Sequence, residues 1–517
     1  MSKIKILWAD DEIDLLKPHI KFLQHKDYEV VPVISGIDAI EEIQKDDFNI
    51  VFLDEKMPGL SGLETLVELK KLKPEIPIVM VTKSEDEFIM DDAIGSQISD
   101  YLIKPVNPNQ LILSIKKLVD HKRLISEKVT SQYQHEFREL SMMLNDKLNF
   151  EEWKQVYQKI IHWELELEKS DDQNIKDILQ NQKAEANSNF FKFVQQNYLY
   201  WLDHPENAPT MSNKLLYKKV LNRVGNNKPV IMILIDNFRY DQWRIIKPLL
   251  TDHFKIIEDD LYYSILPTVT NYARNAIFSG MMPSEIEKNY PNLWIYDDER
   301  ETKNQNEEKF VKDYLLRLRK NIKVDYEKIT SLDIAKKFAD NVHNYLSNDL
   351  VLIVSNFIDF LSHVRTEIEV IKELAEDEMA YRSLTLSWFK HSPLYEAIIK
   401  LAQKDCILII TTDHGSIRVK KPSKIIGDKN TTSNLRYKEG RSLNFEAKEV
   451  FHVKNPTDFH LPKSNISSSY VFAKEDYYFI YPNNYNYYVN FFNNTFQHGG
   501  ISMEEMMIPI ITLENKV

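Results

Sequence analysis

Two sets of chemically able side chains stand out in this 517-residue chain. The first is acidic. Asp10 and Asp11 follow the apolar run Lys5-Ile6-Leu7-Trp8, Asp54 ends Ile50-Val51-Phe52-Leu53, Thr82 ends Ile78-Val79-Met80-Val81, and Lys104-Pro105 ends Asp100-Tyr101-Leu102-Ile103. Three carboxylates meeting at one sheet edge repel one another unless a hard divalent cation such as Mg²⁺ sits among them. With that ion and Lys104 balancing phosphoryl oxygens, Asp54 is placed to attack a phosphoryl donor and become an aspartyl phosphate, and Thr82 to donate its hydroxyl to it.

The second set is spread over the C-terminal half. Asp236 follows the run Ile231 to Ile235, Thr268 and Thr270 lie in Leu266-Pro267-Thr268-Val269-Thr270-Asn271-Tyr272-Ala273-Arg274, and Asp359 and His363 come shortly after Leu350 to Val354. Asp413-His414-Gly415 follows the Cys406 to Ile410 run and two threonines, and His498-Gly499-Gly500 closes the set. A helix would put Asp359 and His363, four apart, on one face. Carboxylates and imidazoles suit Zn²⁺, and two such ions can clamp the attacking and leaving oxygens of a phosphoryl displacement. A threonine hydroxyl becomes a useful nucleophile once a metal lowers its pKa, and a helix start favours the bound phosphate.

These groups need elements to position them. In the first 120 residues, five short apolar runs, the second at Tyr28-Glu29-Val30-Val31, alternate with four stretches of helical period, and a fifth such stretch follows. That pattern predicts a five-stranded parallel doubly wound sheet, with its polar residues beyond the carboxyl ends of the strands. Residues 121–205 lack any such strand pattern. From Lys122 to Trp201 there is neither glycine nor proline, and apolar residues recur at three and four, which predicts an all-α bundle acting as a spacer. Trp153, Tyr157 and Trp163 are expected inside it. Proline enters at Asp203-His204-Pro205, and residues 206–517 carry near-continuous apolar runs typical of strands buried on both faces, hence a second, larger α/β domain. The Tyr481 to Asn494 stretch, with Val489, Phe491 and Phe492 interleaved, suits strands.

Composition narrows the function. With 43% hydrophobic and 11% aromatic residues, global disorder is excluded. Lys and Arg total 66 against 78 Asp and Glu, giving 66 − 78 = −12, which disfavours duplex DNA binding; Lys420, Lys421 and Lys424 are the candidate for a local basic groove. The single Cys406 rules out a disulfide framework and reads as a buried, inert thiol. No apolar stretch approaches the roughly 20 residues a membrane helix needs, and the N-terminus does not look like a signal peptide, so a cytoplasmic protein is expected.

Residues 1–120, with Asp54-Glu55-Lys56-Met57-Pro58-Gly59, Gly62 and Tyr101 three before Lys104, resemble the receiver domain of response regulators, in which Tyr101 would be the aromatic switch residue. Lys83 departs from that pattern, which usually has a small residue after the hydroxyl residue. The order Asp, Thr, Asp-x-x-x-His, Asp-His-Gly, His-Gly-Gly resembles the alkaline phosphatase superfamily, and Pro267 to Arg274 looks like its PglZ branch. That resemblance implies one zinc on Asp359, His363 and His498, a second on Asp236, Asp413 and His414, and Thr270, rather than Thr268, as the nucleophile touching both. Arg274 as a phosphate contact is a secondary expectation.

The three parts in this order resemble the PorX response regulators of the type IX secretion system. The likeness implies a sensor histidine kinase partner, zinc in the output domain, a homodimer on phosphorylation, and phosphodiesterase activity on nucleotide or oligonucleotide substrates. A second reading is a non-catalytic regulator whose zinc domain docks or senses a sigma factor or another protein.

Overall fold

The computed structural model describes residues 3–83, 98–170, 172–225, 228–295, 305–367, 377–429 and 431–516, the side chains of 120–127 and 363–367 excepted. It divides into two compact units, Met1–His135 with Lys169–Gln173, and Glu136–Glu168 with Asn174–Val517.

In the first unit, β1 (Lys5–Ala9), β2 (Glu29–Val33), β3 (Ile50–Asp54), β4 (Ile78–Thr82) and β5 (Asp100–Ile103) form one parallel sheet ordered β2-β1-β3-β4-β5. All five expected strands are present. Alternate residues face opposite ways, so Ile6, Trp8, Ile50, Phe52, Val79 and Val81 build one core, while Leu7, Ala9, Val51, Leu53, Ile78 and Met80 build the other. Four of the five expected helical stretches are helices; the one between β4 and β5 lies outside the described residues.

The second unit is built on a six-stranded sheet of β6 (Val230–Ile235), β7 (Phe254–Tyr263), β8 (Val324–Ile329), β9 (Leu350–Ser355), β10 (Ile407–Thr411) and β11 (Met507–Asn515). Its order is β7-β11-β10-β6-β9-β8, with β10, β6, β9 and β8 parallel and β11 antiparallel to both its neighbours. β6 lies between β10 and β9, so the polar residues following these three strands share one edge. In open α/β sheets that edge is where ligands bind.

The helices Phe150–Leu167 and Gln173–Asp203 belong mostly to this unit and form part of its core. Trp153 packs on Phe190 and Phe193 within the helical pair, as expected, and Trp163 is buried. Tyr157 instead meets Tyr240, Phe190 stacks on Tyr263 of β7, and the Tyr198 hydroxyl accepts a hydrogen bond from the Leu266 amide. The segment that reads as a spacer is therefore structural material of the large domain.

One sequence expectation fails. Tyr485–Phe492 is a helix, where strands were expected. Tyr485, Val489 and Phe492 recur at four and three, and all three pack against Ile417, Val419, Tyr478 and Ile480, so the apolar face follows a helical period. Cys406 is buried as expected, and burial pushes its thiol pKa up to about 12. Among the described residues no helix is long and apolar enough to cross a membrane.

Candidate functional site

At the carboxyl edge of the first sheet, Asp10, Asp11 and Asp54 each offer an oxygen within 4.8 Å of the others. Asp10 and Asp54 are buried and Asp11 is exposed. Lys104 reaches between the buried pair, its Nζ 2.9 Å from Asp10 Oδ2 and 2.8 Å from Asp54 Oδ1. Burial raises the Asp54 pKa, and Asp10 and Asp11 add to the rise against the opposing pull of Lys104. Burial pulls Lys104 down, yet its bonds to Asp54 and Asp10 leave its pKa raised. Thr82 donates to Glu55 Oε2 at 2.5 Å, Tyr101 is 51% exposed, and Lys83, the departure from the usual small residue, reaches Glu12 at 3.2 Å. Asp10, Asp11, Asp54, Thr82 and Lys104 thus share one edge, with Thr82 engaged by Glu55, while Tyr101 lies within β5 and is turned to solvent.

The second cluster is deeper. Asp236 directly follows β6, and Asp413 and His414 come just after β10; one ligand atom from each lies within 4.8 Å of the others, and all three are buried. Thr270 is the first residue of the helix Thr270–Ser279, and its Oγ1 is 3.1 Å from His414 Nε2 and 3.4 Å from Asp236 Oδ1. Thr268 is occupied otherwise, donating to the Gly500 carbonyl and accepting from the Gly499 amide, both at 3.0 Å. It anchors the loop that carries His498. The His498 ring stacks on His414 with centroids 4.3 Å apart, and its Nε2 lies 3.7 Å from Asp359 Oδ1. His363 lies on the same helix as Asp359, Phe357–Glu367, but its side chain is outside the described residues.

Arg274, expected as a secondary phosphate contact, is held by carboxylates of the site. One turn after Thr270 and fully buried, it pairs with Asp236, bonds Asp413 Oδ2 through Nε at 2.9 Å, and reaches Asn356 and Glu307 with Nη1. Even so, burial, with Asp413 and Asp359 nearby, pushes Asp236 up to about 7 against the pull of Arg274. Burial also lowers the His414 pKa, which keeps its imidazole neutral and able to ligate.

Sequence reasoning missed Asn237, whose amide donates to Asp359 Oδ1 at 3.4 Å, and Glu307, which backs Arg274. Asn237 has φ of 60°, a left-handed turn that asparagine tolerates better than most residues. An Asp-Asn pair directly after an apolar run was the available signal; Glu307 had none. Gly415 is required, since a Cβ there would lie 2.1 Å from the Glu504 carbonyl oxygen.

The donor set can be tested for fit. Tetrahedral zinc with bonds near 2.0–2.1 Å separates its ligand atoms by about 3.3 Å. The separations of Thr270 from His414 and Asp236, of His414 from Asp236, and of His498 from Asp359 are 3.1, 3.4, 3.6 and 3.7 Å. Oxygen and imidazole nitrogen at these spacings, with buried acids only partly neutralised by one arginine, fit a zinc-type centre. The receiver set, all oxygen, fits a hard cation such as Mg²⁺.

Against this geometry, comparison with known proteins is informative. The receiver domain of response regulators matches residues 6–116, the PorX response regulator linker domain matches 123–202, and the BREX system PglZ alkaline phosphatase-like domain matches 216–513, more than half the chain. The transcriptional regulatory protein ZraR of Klebsiella oxytoca is 31% identical over 129 residues, 25% of this chain and 29% of that protein. The uncharacterised regulator YbdJ of Bacillus subtilis is 33% identical over 126 residues, 23% of this chain and 53% of its own length. The chain thus spans well under two thirds of these curated relatives. Among solved structures, the response regulator TrrA of Thermotoga maritima, determined with Mg²⁺ and BeF, is 30% identical and covers 23% of this chain and 99% of its own, with a TM-score of 0.21. The strand-end acids, the threonine at the helix start and the matched residue ranges lead to one conclusion: this chain belongs to the PglZ family of alkaline phosphatase-like domains, in the PorX-type arrangement of receiver, linker and PglZ domain.

Proposed function

We propose that this chain is a two-component response regulator in which phosphorylation of Asp54 by a sensor histidine kinase controls a zinc-dependent phosphodiesterase in the PglZ domain. The observation that carries the enzymatic part is the approach of Thr270 Oγ1 to both Asp236 and His414, beside the stacked His498 and its partner Asp359. Asp236, Asp413 and His414 would hold one zinc, and Asp359, His363 and His498 the other. Bound zinc supplies a lowered hydroxyl pKa and polarised phosphoryl oxygens. Thr270 gives up its proton and forms the O–P bond while one ester oxygen leaves as an alcohol; water then cleaves the resulting threonyl phosphodiester, releasing the monoester and restoring the hydroxyl. Arg274 fixes the two carboxylates that frame the threonine and offsets their charge.

In the receiver, Asp10, Asp11 and Asp54 would hold Mg²⁺, and Lys104 would follow the phosphoryl oxygens. Thr82 then exchanges Glu55 for the phosphate, Tyr101 turns inward, and the receivers pair as a homodimer. Nucleotide-type substrates and a role in type IX secretion are the part of this reading that the resemblance to PorX response regulators implies. The test is metal analysis with turnover of bis(p-nitrophenyl) phosphate, with and without acetyl phosphate. Zinc-loaded protein that turns over the diester, Thr270→Ala protein that keeps zinc but does not, and an activity dependent on acetyl phosphate support the reading; full activity in Thr270→Ala refutes it.

A further inference from the structure

His414 and His498 sit on loops, and both loops are held by one short stretch, the turn of helix Met503–Met506 with its cap Ser502, which leads into β11. The amide of Gly415, next to His414, donates to the Glu505 carbonyl at 3.2 Å, and Gly415 lies so close to the Glu504 carbonyl that no Cβ fits between them. The amide of Gly500, two residues after His498, donates to Glu505 Oε1 at 2.9 Å. Arg436 locks that carboxylate in turn, with Nε 3.0 Å from Oε1 and Nη2 2.7 Å from Oε2. Ser264 ties the other end, its amide donating to the Met506 carbonyl at 2.8 Å and its hydroxyl to the Asp413 carbonyl at 2.7 Å.

The stretch is itself gripped from the linker, by the helix Gln173–Asp203. Asn187 is buried and makes two bonds to it at once: Oδ1 accepts from the Met503 amide at 2.8 Å, and Nδ2 donates to Glu504 Oε2 at 3.0 Å. Lys183, one turn earlier and also buried, brings Nζ to 3.2 Å from Glu504 Oε1. A buried carboxylate stays charged only beside such partners, so Glu504 and the backbone around it follow these two side chains. The same lysine lies 3.3 Å from Glu378, which Arg239 meets at 3.5 Å. Arg239 comes three residues after Asp236, and its guanidinium lies 4.8 Å from the ring centroid of Phe496, two residues before His498. An apolar helix face would bury the linker equally well. A polar, two-pronged hold on the one segment that touches both histidine loops does something further, because directional bonds fix position where apolar contact does not.

We propose that Asn187 and Lys183 are positioning residues of the zinc-type centre: through Glu504 the linker helix fixes the loops of His414 and His498, and so sets how tightly and in what geometry metal is held. This rests on the zinc-dependent reading of the site and adds its regulation, since any displacement of the helix against Met503–Met506 is passed to the ligand loops. Groups that orient metal ligands carry roughly 10–100-fold in metal affinity. Asn187 acts through one more residue, and an effect of about tenfold, at the low end of that range, is expected for it.

The experiment uses the full-length protein and two readings: the zinc dissociation constant, from competition with a chromophoric chelator, and the visible absorption spectrum of the cobalt-substituted protein, which reports ligand geometry. Asn187→Leu removes both bonds without adding charge, and Asn187→Asp keeps the acceptor for Met503 while losing the donor to Glu504. Gln182→Leu is the control from the same helix: Gln182 is buried, and its amide donates to the Phe137 carbonyl at 3.2 Å and to Ser141 at 3.0 Å. Expected are a zinc dissociation constant raised about tenfold and an altered cobalt spectrum in Asn187→Leu, a smaller change of the same kind in Asn187→Asp, and neither change in Gln182→Leu. A dissociation constant within about twofold of wild type with an unchanged spectrum overturns the proposal, as does an equal shift in Gln182→Leu. Should Asn187→Leu fail to fold, the same readings on Asn187→Asp decide. Weakened zinc binding in a protein that turns over no diester leaves the positioning role standing and removes the catalytic reading. Wild-type zinc affinity in an active Asn187→Leu enzyme removes the positioning role alone.

Discussion

The chain carries two acid clusters at sheet edges, and they are counter-charged differently. Beside β1 and β3 the cation is Lys104, an ammonium on a flexible stem, and one of the three acids, Asp11, is exposed. Beside β6 and β10 it is Arg274, fully buried, whose planar fork spans Asp236 and Asp413 and is itself held by Asn356 and Glu307. A lysine rotates and re-pairs at little cost, whereas an arginine engaged from several sides fixes the geometry of what it touches. On the proposed function, the first suits a site that gains and loses a phosphoryl group and the second a site that holds a hydroxyl among metal ligands.

Several measurements break or sharpen this contrast. The largest effect is expected for Thr270→Ala, with diesterase turnover down about 10³-fold or more and zinc content retained, read by steady-state kinetics and metal analysis. Arg274→Met comes next. It strands two buried carboxylates and should destabilise the second unit by about 3–5 kcal/mol, measured by urea unfolding of the apo protein. Lys104→Met in the receiver should cost less when measured with Mg²⁺ present, because Lys104 touches two carboxylates where Arg274 engages three carboxylates and Asn356, and the cation can take its place. Equal losses for these two variants would erase the proposed distinction.

A third arm concerns pH. Burial raises the pKa of Glu378, but Lys183, Arg239 and Arg382 overcome it and hold the carboxyl well below its ordinary value of 4.5. A depressed folded-state pKa contributes stability above the unfolded value that is lost as pH falls towards the folded one. The large domain should therefore lose stability as pH drops below about 4.5, and Glu378→Gln should flatten that slope in thermal melts. The smallest effect is expected for Lys83→Ala. Its partner Glu12 is half exposed, so stability should move by less than about 0.5 kcal/mol, while the lifetime of the aspartyl phosphate, followed by phosphate release, tests whether Lys83 screens the attacking water.

Most of the receiver was legible because buried parallel strands read as unbroken apolar runs and each ends in a polar residue that the fold must place at one edge. The clustered acids and histidine after β6, β9 and β10 were legible for the same reason. The Tyr485–Phe492 helix was misread because tyrosine and asparagine suggest strands and turns, and only packing on Ile417 and Tyr478 reveals which period applies. Arg274 was legible as a residue one turn after Thr270, but its carboxylate partners were not, since nothing local shows that Asp413 and Glu307 converge on it.

Least legible was the ionic core of the second unit. Lys183 lies 2.9 Å from Glu164 and 3.2 Å from Glu504; Arg382 lies 3.0 Å from Glu164 and 2.8 Å from Asp241; and Asn187 donates to Glu504 at 3.0 Å. On a helix these residues look like a solvated face, because lysine and glutamate are rarely buried unless paired.

That network dictates how the polypeptide can be cut. Glu164, Lys183 and Asn187 come from the two helices ahead of residue 206, while Asp241, Arg382 and Glu504 come from after it. A fragment starting at 206 would keep Glu504 without Lys183 and Asn187, and Arg382 without Glu164, and would expose the apolar face beneath. Grafting a different receiver onto this output requires a splice ahead of Glu136, so that both helices travel with the PglZ half as inseparable cargo.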